Sequence, residues 1–112
     1  MFRSSAEAAP VRDRAGLRSR VLLQAGDTPE AALAVTWVEV QPGAEQAPHS
    51  HDPQQVYVIL HGTGRMRVAD AEQNVGAGDL VFVPSRAVHG IVSTGTENLT
   101  YVSLRDADLQ HH

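Results

Sequence analysis

Apolar positions along this 112-residue chain fall in short runs of strand length. Arg18 to Leu23, Val35 to Val40 and Gln55 to Leu60 are rich in residues that fit a pleated sheet, and turn-forming Gly, Pro or Asp residues separate the runs. Arg65 to Ala69 alternates basic and apolar residues, the pattern of a half-exposed strand, and Gln73 to Val75 forms a short run after it. Leu80-Val81-Phe82-Val83 is continuously apolar and reads as a central buried strand, with Pro84 ending it. Ile91 to Ser93 and Asn98 to Leu104 complete the set. Gly62-Thr63-Gly64 reads as a hairpin turn, and Glu30 to Ala34 fits helix or loop. Eight or so short strands with one doubtful helix predict an all-β sandwich or barrel in a single domain. Residues 18–108 form that barrel, 1–17 an N-terminal arm that packs against or crosses to a partner, and 109–112 a tail.

Composition narrows the chemistry. The chain has no cysteine, so disulfides, thiolate nucleophiles and thiolate metal sites are excluded, and any ion must be held by His, carboxylate or amide oxygen. All nine basic residues are arginine, which removes lysine Schiff-base chemistry. A net charge of −4 with scattered arginines offers no basic stripe for nucleic acid. No apolar run reaches membrane-spanning length and the N-terminus lacks a secretory h-region, so the expectation is a cytoplasmic protein.

One stretch, Pro42 to Gly62, concentrates metal-type ligands. His49 and His51 are one residue apart, and on a strand they would share a face and could meet one ion. Gly43, five residues, His49, one residue, His51, three residues, Gln55, six residues, Gly62 resembles the first motif of the cupin family, with Gln55 where glutamate is usual. Gly78, five residues, Pro84, then His89 resembles the second, with Arg86 where a glycine and Ser93 where an asparagine are usual. The resemblance implies a cupin-type double-stranded β-helix, a jelly-roll barrel, in which His49, His51, Gln55 and His89 hold one divalent metal ion (Zn, Mn, Fe, Ni or Co). Arg86 is expected to be tolerated at its turn provided its φ is negative.

An amide at Gln55 brings no charge to the ion, which favours Lewis-acid work; the alternative is a pocket amide bonded to His51. On a regular strand Tyr57 and Ile59 share the face of Gln55, so Tyr57 is a candidate to orient or protonate a substrate, or else simply packs in the barrel. Trp37 and Phe82 are expected in the core, and His61 in solvent. Glu39, Glu45 and Asp52 are candidates for a further base. The resemblance implies a small metal-dependent enzyme of isomerase, lyase or cyclase type acting on a small oxygenated metabolite such as a sugar acid, keto acid or polyketide-type carbonyl. The alternatives are an iron-dependent dioxygenase and a non-catalytic binding or sensor module. A homodimer is expected from the arm and the unpaired sheet edges.

Overall fold

The computed structural model describes residues 1–107. The expected tail, with His111 and His112, lies outside the described residues. Ten strands follow in order: β1 (Arg12–Arg14), β2 (Leu17–Leu23), β3 (Leu33–Val40), β4 (Glu45–His49), β5 (Gln55–His61), β6 (Thr63–Val68), β7 (Ala71–Gly76), β8 (Leu80–Val83), β9 (His89–Ser93) and β10 (Leu99–Asp106). They form two antiparallel sheets packed face to face, one of six strands in the order β1-β2-β3-β10-β5-β8 and one of four in the order β4-β9-β6-β7. This is the expected all-β jelly roll. Among the described residues there is no helix; Glu30 to Ala34 passes from turn into β3.

The core lies between the sheets. Tyr57 and Ile59 of β5, Leu99 and Tyr101 of β10, Val38 and Val40 of β3, and Ile91 of β9 are all buried there, every second residue of each strand pointing inward. Each fully buried aliphatic side chain contributes about 1.5–3 kcal/mol relative to exposure. Ser93, at the far end of β9, holds the closed end of the barrel through its backbone: its N–H donates to the Ala44 carbonyl and its own carbonyl accepts from the Gly43 N–H.

The two sheets differ on their outer faces. On the four-stranded sheet Arg65 pairs with Glu72 at 3.1 Å and donates to Asn74, so this face is charged and self-satisfied. On the six-stranded sheet the strand register aligns Trp37, Val102, Val58 and Leu80 in one row across β3, β10, β5 and β8. Val35, Leu104, Val56 and Phe82 form the next row. Both rows point away from the core.

Three expectations change here. Leu80 to Val83 is the edge of its sheet and not its centre, and Leu80 and Phe82 are 63% and 49% exposed. A continuous apolar run suits a strand buried on both faces, but here it serves one face turned to the core and one turned out. Phe82 and Trp37 accordingly sit on the outer face, with Trp37 partly buried and its indole N–H donating to Glu39 at 3.3 Å. The segment read as an arm contributes β1, which pairs with β2 of its own chain through a tight turn at Ala15 and Gly16, both at positive φ.

Gly62-Thr63-Gly64 is also not a hairpin turn. β5 belongs to the six-stranded sheet and β6 to the four-stranded one, so the chain changes sheet at Gly62. Gly62 has φ +83°, and a Cβ placed on it would come within 2.5 Å of the Asn98 carbonyl oxygen and 2.9 Å of the Leu99 Cα. Only glycine fits both the dihedral and the close approach. A Gly-x-Gly between two apolar runs looks the same in sequence whether the second strand folds back or crosses over.

Candidate metal centre

The strand β4 brings His49 to the site through an irregularity. Gln46 pairs with Ile91, yet His49 pairs with His89, so three residues on β4 oppose two on β9. This bulge at Ala47-Pro48 reverses the alternation, and His49 faces inward beside His89 with ring centroids 4.3 Å apart. Pro48 is accommodated because β4 is a sheet edge. Gly90 makes the bulge possible: a Cβ there would lie 2.9 Å from the Gln46 carbonyl oxygen and 3.1 Å from the Pro48 nitrogen.

His51 does not lie on the same strand as His49. β4 ends at His49, and His51 comes from the loop that follows. Two contacts from the β8–β9 loop pin it: the Arg86 N–H donates to the His51 carbonyl at 2.8 Å, and Ser85 Oγ donates to the Asp52 carbonyl. His51 therefore converges on His49 and His89 by loop anchoring, with ring centroids 5.6 and 5.0 Å away.

Arg86 has φ +65°, so the condition on which an arginine would be tolerated there, a negative φ, is not met. Its side chain pairs with Asp52 at 3.3 Å, but both side chains are more than three-quarters exposed, where such a pair contributes little. The left-handed conformation costs a non-glycine residue about 1–2 kcal/mol, partly offset by the greater unfolded-state entropy of glycine. Arg86→Gly is expected to stabilise the protein by about 0.5–1 kcal/mol in urea unfolding, because the backbone bond to His51 is kept. A loss of stability would show that the Asp52 pairing outweighs the strain.

His89 is fully buried on β9. Its Nδ1–H donates to the Ala87 carbonyl at 2.9 Å, just as His49 Nδ1–H donates to the Ala47 carbonyl at 2.9 Å and His51 Nδ1–H to the Pro53 carbonyl at 3.1 Å. A carbonyl only accepts, so each ring is held as the Nδ1–H tautomer with its lone pair on Nε2. The ligand atoms of the three rings lie within 4.8 Å of one another. His89 Nε2 is buried with no hydrogen-bond partner, a costly arrangement that a cation would relieve. Burial holds the His89 pKa below its ordinary value; the Ala87 bond works against this, and the neighbouring His49 and His51 reinforce it. The ring is thus neutral and ready to ligate at neutral pH.

Gln55 opens β5 facing inward, nearly buried, with Oε1 3.0 Å from His51 Nε2. Two residues on, the Tyr57 ring lies 6.0 Å from His89 and 4.7 Å from Tyr101. Burial, the larger influence, pushes the Tyr57 pKa up to about 12, with the neighbouring Tyr101 hydroxyl working the other way. The three acidic candidates do not join the cluster. Glu39 bonds Trp37 on the outer face, Glu45 is exposed at the start of β4, and Asp52 turns to Arg86. His61 is exposed, as expected, and contacts Glu97.

The carbonyls of Ala47, Pro53 and Ala87, Tyr101 and Gly90 complete the site, and none is legible locally. Only the bulge and the strand pairing bring them to it.

The jelly roll thus gathers three imidazoles whose ligand atoms are close enough together to hold one metal ion. The cupin domain model Cupin_2 matches residues 36–105, and the chain belongs to the cupin family. It is 28% identical over 85 residues to dimethylsulfoniopropionate lyase DddW of Ruegeria pomeroyi, covering 76% of this chain and 55% of that protein. The chain thus spans about half the length of this curated relative. Among solved structures, an RmlC-like cupin from Shewanella frigidimarina superposes with TM-score 0.82 at 22% identity, covering 99% of this chain and 95% of the other. KdgF from Halomonas sp. superposes with TM-score 0.84 at 18% identity, covering 98% of both chains. Among the described residues no helix is long and apolar enough to cross a membrane.

Proposed function

We propose that the protein is a metal-dependent enzyme of lyase or isomerase type, acting on a small carboxylate-bearing metabolite. His49, His51, His89 and Gln55 would hold one divalent ion. The observation that carries this is the unpartnered, buried His89 Nε2 beside two further imidazoles, the ligand atoms of all three within 4.8 Å of one another. A divalent ion bound there supplies a Lewis acid for a carbonyl or carboxylate oxygen. The donor set of imidazole and amide suits a first-row transition metal and leaves the metal's identity open. Gln55 supports the reading. With its Nδ1 proton given to Pro53, His51 presents a lone pair to Gln55 Oε1, and two acceptors 3.0 Å apart repel unless a cation, or a turned amide N–H, comes between them.

The chain's own residues supply the rest. Tyr57, protonated across the neutral range, has an O–H to donate to a substrate oxygen. Arg105 sits in register with Gln55 on the adjacent strand β10, two residues along from the inward-facing Ser103. It lines a concavity of about 410 Å³ with Gln24 and Thr36 and, among the described residues, makes no ion pair. A guanidinium one strand away from a metal ligand is suited to a substrate carboxylate. Lyase chemistry is favoured by the likeness to a dimethylsulfoniopropionate lyase, which makes that sulfonium acid the first compound to assay.

The test is product analysis with metal-loaded protein over small hydroxy, keto and sulfonium acids, with oxygen uptake followed in parallel. Turnover without oxygen consumption is the expected result; oxygen-dependent turnover would make it a dioxygenase, and binding without turnover a sensor. Arg105→Ala is expected to raise KM about 10–100-fold through loss of a charge-assisted contact of about 1.5–3 kcal/mol, with kcat and metal content little changed. An unchanged KM would remove Arg105 from the site.

A further inference from the structure

We propose that the β1–β2 hairpin, where it overhangs the four-stranded sheet, forms a second binding site, one that takes the phosphate group of a small molecule. The site is separate from the metal centre and independent of its reading. Six strands face four, so the inner side of β1 and β2 has only the edge strand β4 near it. The register carries the core rows out into this overhang: Val40 is followed by Leu17 and then Arg14, and Val38 by Ser19 and then Arg12. Val38 and Val40 are buried in the core, so both arginines stand on the face that turns inward. Together with Leu17, Ser19, Val38 and Gln46 of β4 they line a cavity of about 180 Å³.

The charge of this cavity is unbalanced. Arg18, Arg65 and Arg86 each pair with a carboxylate, and Arg20 and Arg67 each donate to a backbone carbonyl. Arg12 and Arg14 do neither, and among the described residues the side chains of Ser19 and Gln46 also lack a hydrogen-bond partner. Asp13 stands between the two arginines in sequence but on the opposite face, where Arg18 takes it at 3.0 Å. No acidic residue lines the cavity, although the chain carries a net charge of −4. Alternate Cα atoms of a strand are about 7 Å apart, so two guanidinium groups share this space with nothing of opposite sign between them. Charge on an edge strand also discourages pairing with other chains, but that purpose needs neither the inward face nor the cavity.

The donors select the ligand. Two guanidinium forks, the Ser19 hydroxyl and the Gln46 side-chain amide offer more N–H and O–H groups than a carboxylate can accept. They suit a phosphate monoester, with its three terminal oxygens and nearly two negative charges. Leu17 and Val38 supply an apolar wall for the organic part of such an ester. One cavity of this size is not the continuous basic track that a nucleic-acid backbone requires.

Titration calorimetry with inorganic phosphate and with phenyl phosphate tests the site. Both probes are expected to bind, the ester more tightly; equal affinities would support the same site with the free ion as its ligand. Arg12→Gln and Arg14→Gln are each expected to weaken binding about 10–100-fold, the range for a hydrogen bond to a charged group, and the double variant to abolish it. Both arginines are exposed and unpaired, so these variants are expected to keep the fold. Arg18→Gln, on the other face of the hairpin, is expected to bind as the wild type does. Phosphate also ligates metal ions, so the wild type is titrated both metal-loaded and after treatment with a chelator, and the affinities are expected to agree. Failure of both probes to bind, binding that survives the double variant, an equal loss in Arg18→Gln, or binding that vanishes with the metal would each overturn the proposal.

Discussion

Replacing His89 with alanine is expected to abolish metal binding while leaving the metal-free fold close to its original stability. Substituting residues that merely orient ligands weakens metal sites about 10–100-fold, so losing a ligand is expected to cost more than 100-fold in affinity. Two effects on the metal-free protein oppose each other. Truncating a fully buried ring leaves a cavity, but it also removes the unpaired Nε2, whose burial costs about 1–3 kcal/mol. The contrast appears in calorimetry with chelator and with saturating metal. A ligand at about 1,000 times its Kd adds about 4 kcal/mol, and each kcal/mol moves Tm by roughly 4–8 °C in a domain near this size. The wild type should therefore gain more than 15 °C from metal by this arithmetic, and His89→Ala almost nothing. A variant that kept most of the metal-induced shift would show that His89 is a core histidine and no ligand.

Gly62→Ala is expected to be the most damaging small substitution outside the metal centre. At φ +83° an alanine carries the left-handed penalty of about 1–2 kcal/mol, and its Cβ would meet backbone atoms of Asn98 and Leu99 that cannot swing aside as a side chain would. The sum is about 3 kcal/mol or more, enough to lower Tm by at least 10 °C. Gly43→Ala is the comparison: it has a similar φ of +81° and open space around the added methyl, so it isolates the dihedral cost. Equal losses at the two glycines would show that the close approach at the sheet change is relieved elsewhere.

Much of this was legible beforehand, and the reasons differ by element. The inward set of β5, Gln55, Tyr57 and Ile59, follows from strict alternation on a regular strand. The convergence of His49, His51 and His89 was legible from motif spacing, although the argument that two histidines one residue apart share a strand face does not hold here. His51 is past the strand end, and His49 reaches the interior only through the bulge. Backbone irregularities of this kind leave no local composition signal, because they are set by the partner strand. The edge position of Leu80–Val83 and the sheet change at Gly62 were missed for a related reason. Local sequence reports how apolar a strand is, whereas its neighbours are chosen by the whole topology. The left-handed φ of Arg86 was hidden because an arginine advertises nothing about its backbone.

The extra residue in β4 gives the site a built-in tolerance to change in chain length. Deleting one codon between Gln46 and His49 would leave two steps on β4 against the two on β9, so a regular ladder would still set His49 opposite His89 with its ring inward. What the bulge supplies is room: the two residues Ala47 and Pro48 stand where an unbroken strand would hold one, and the register of the ligand is preserved across them.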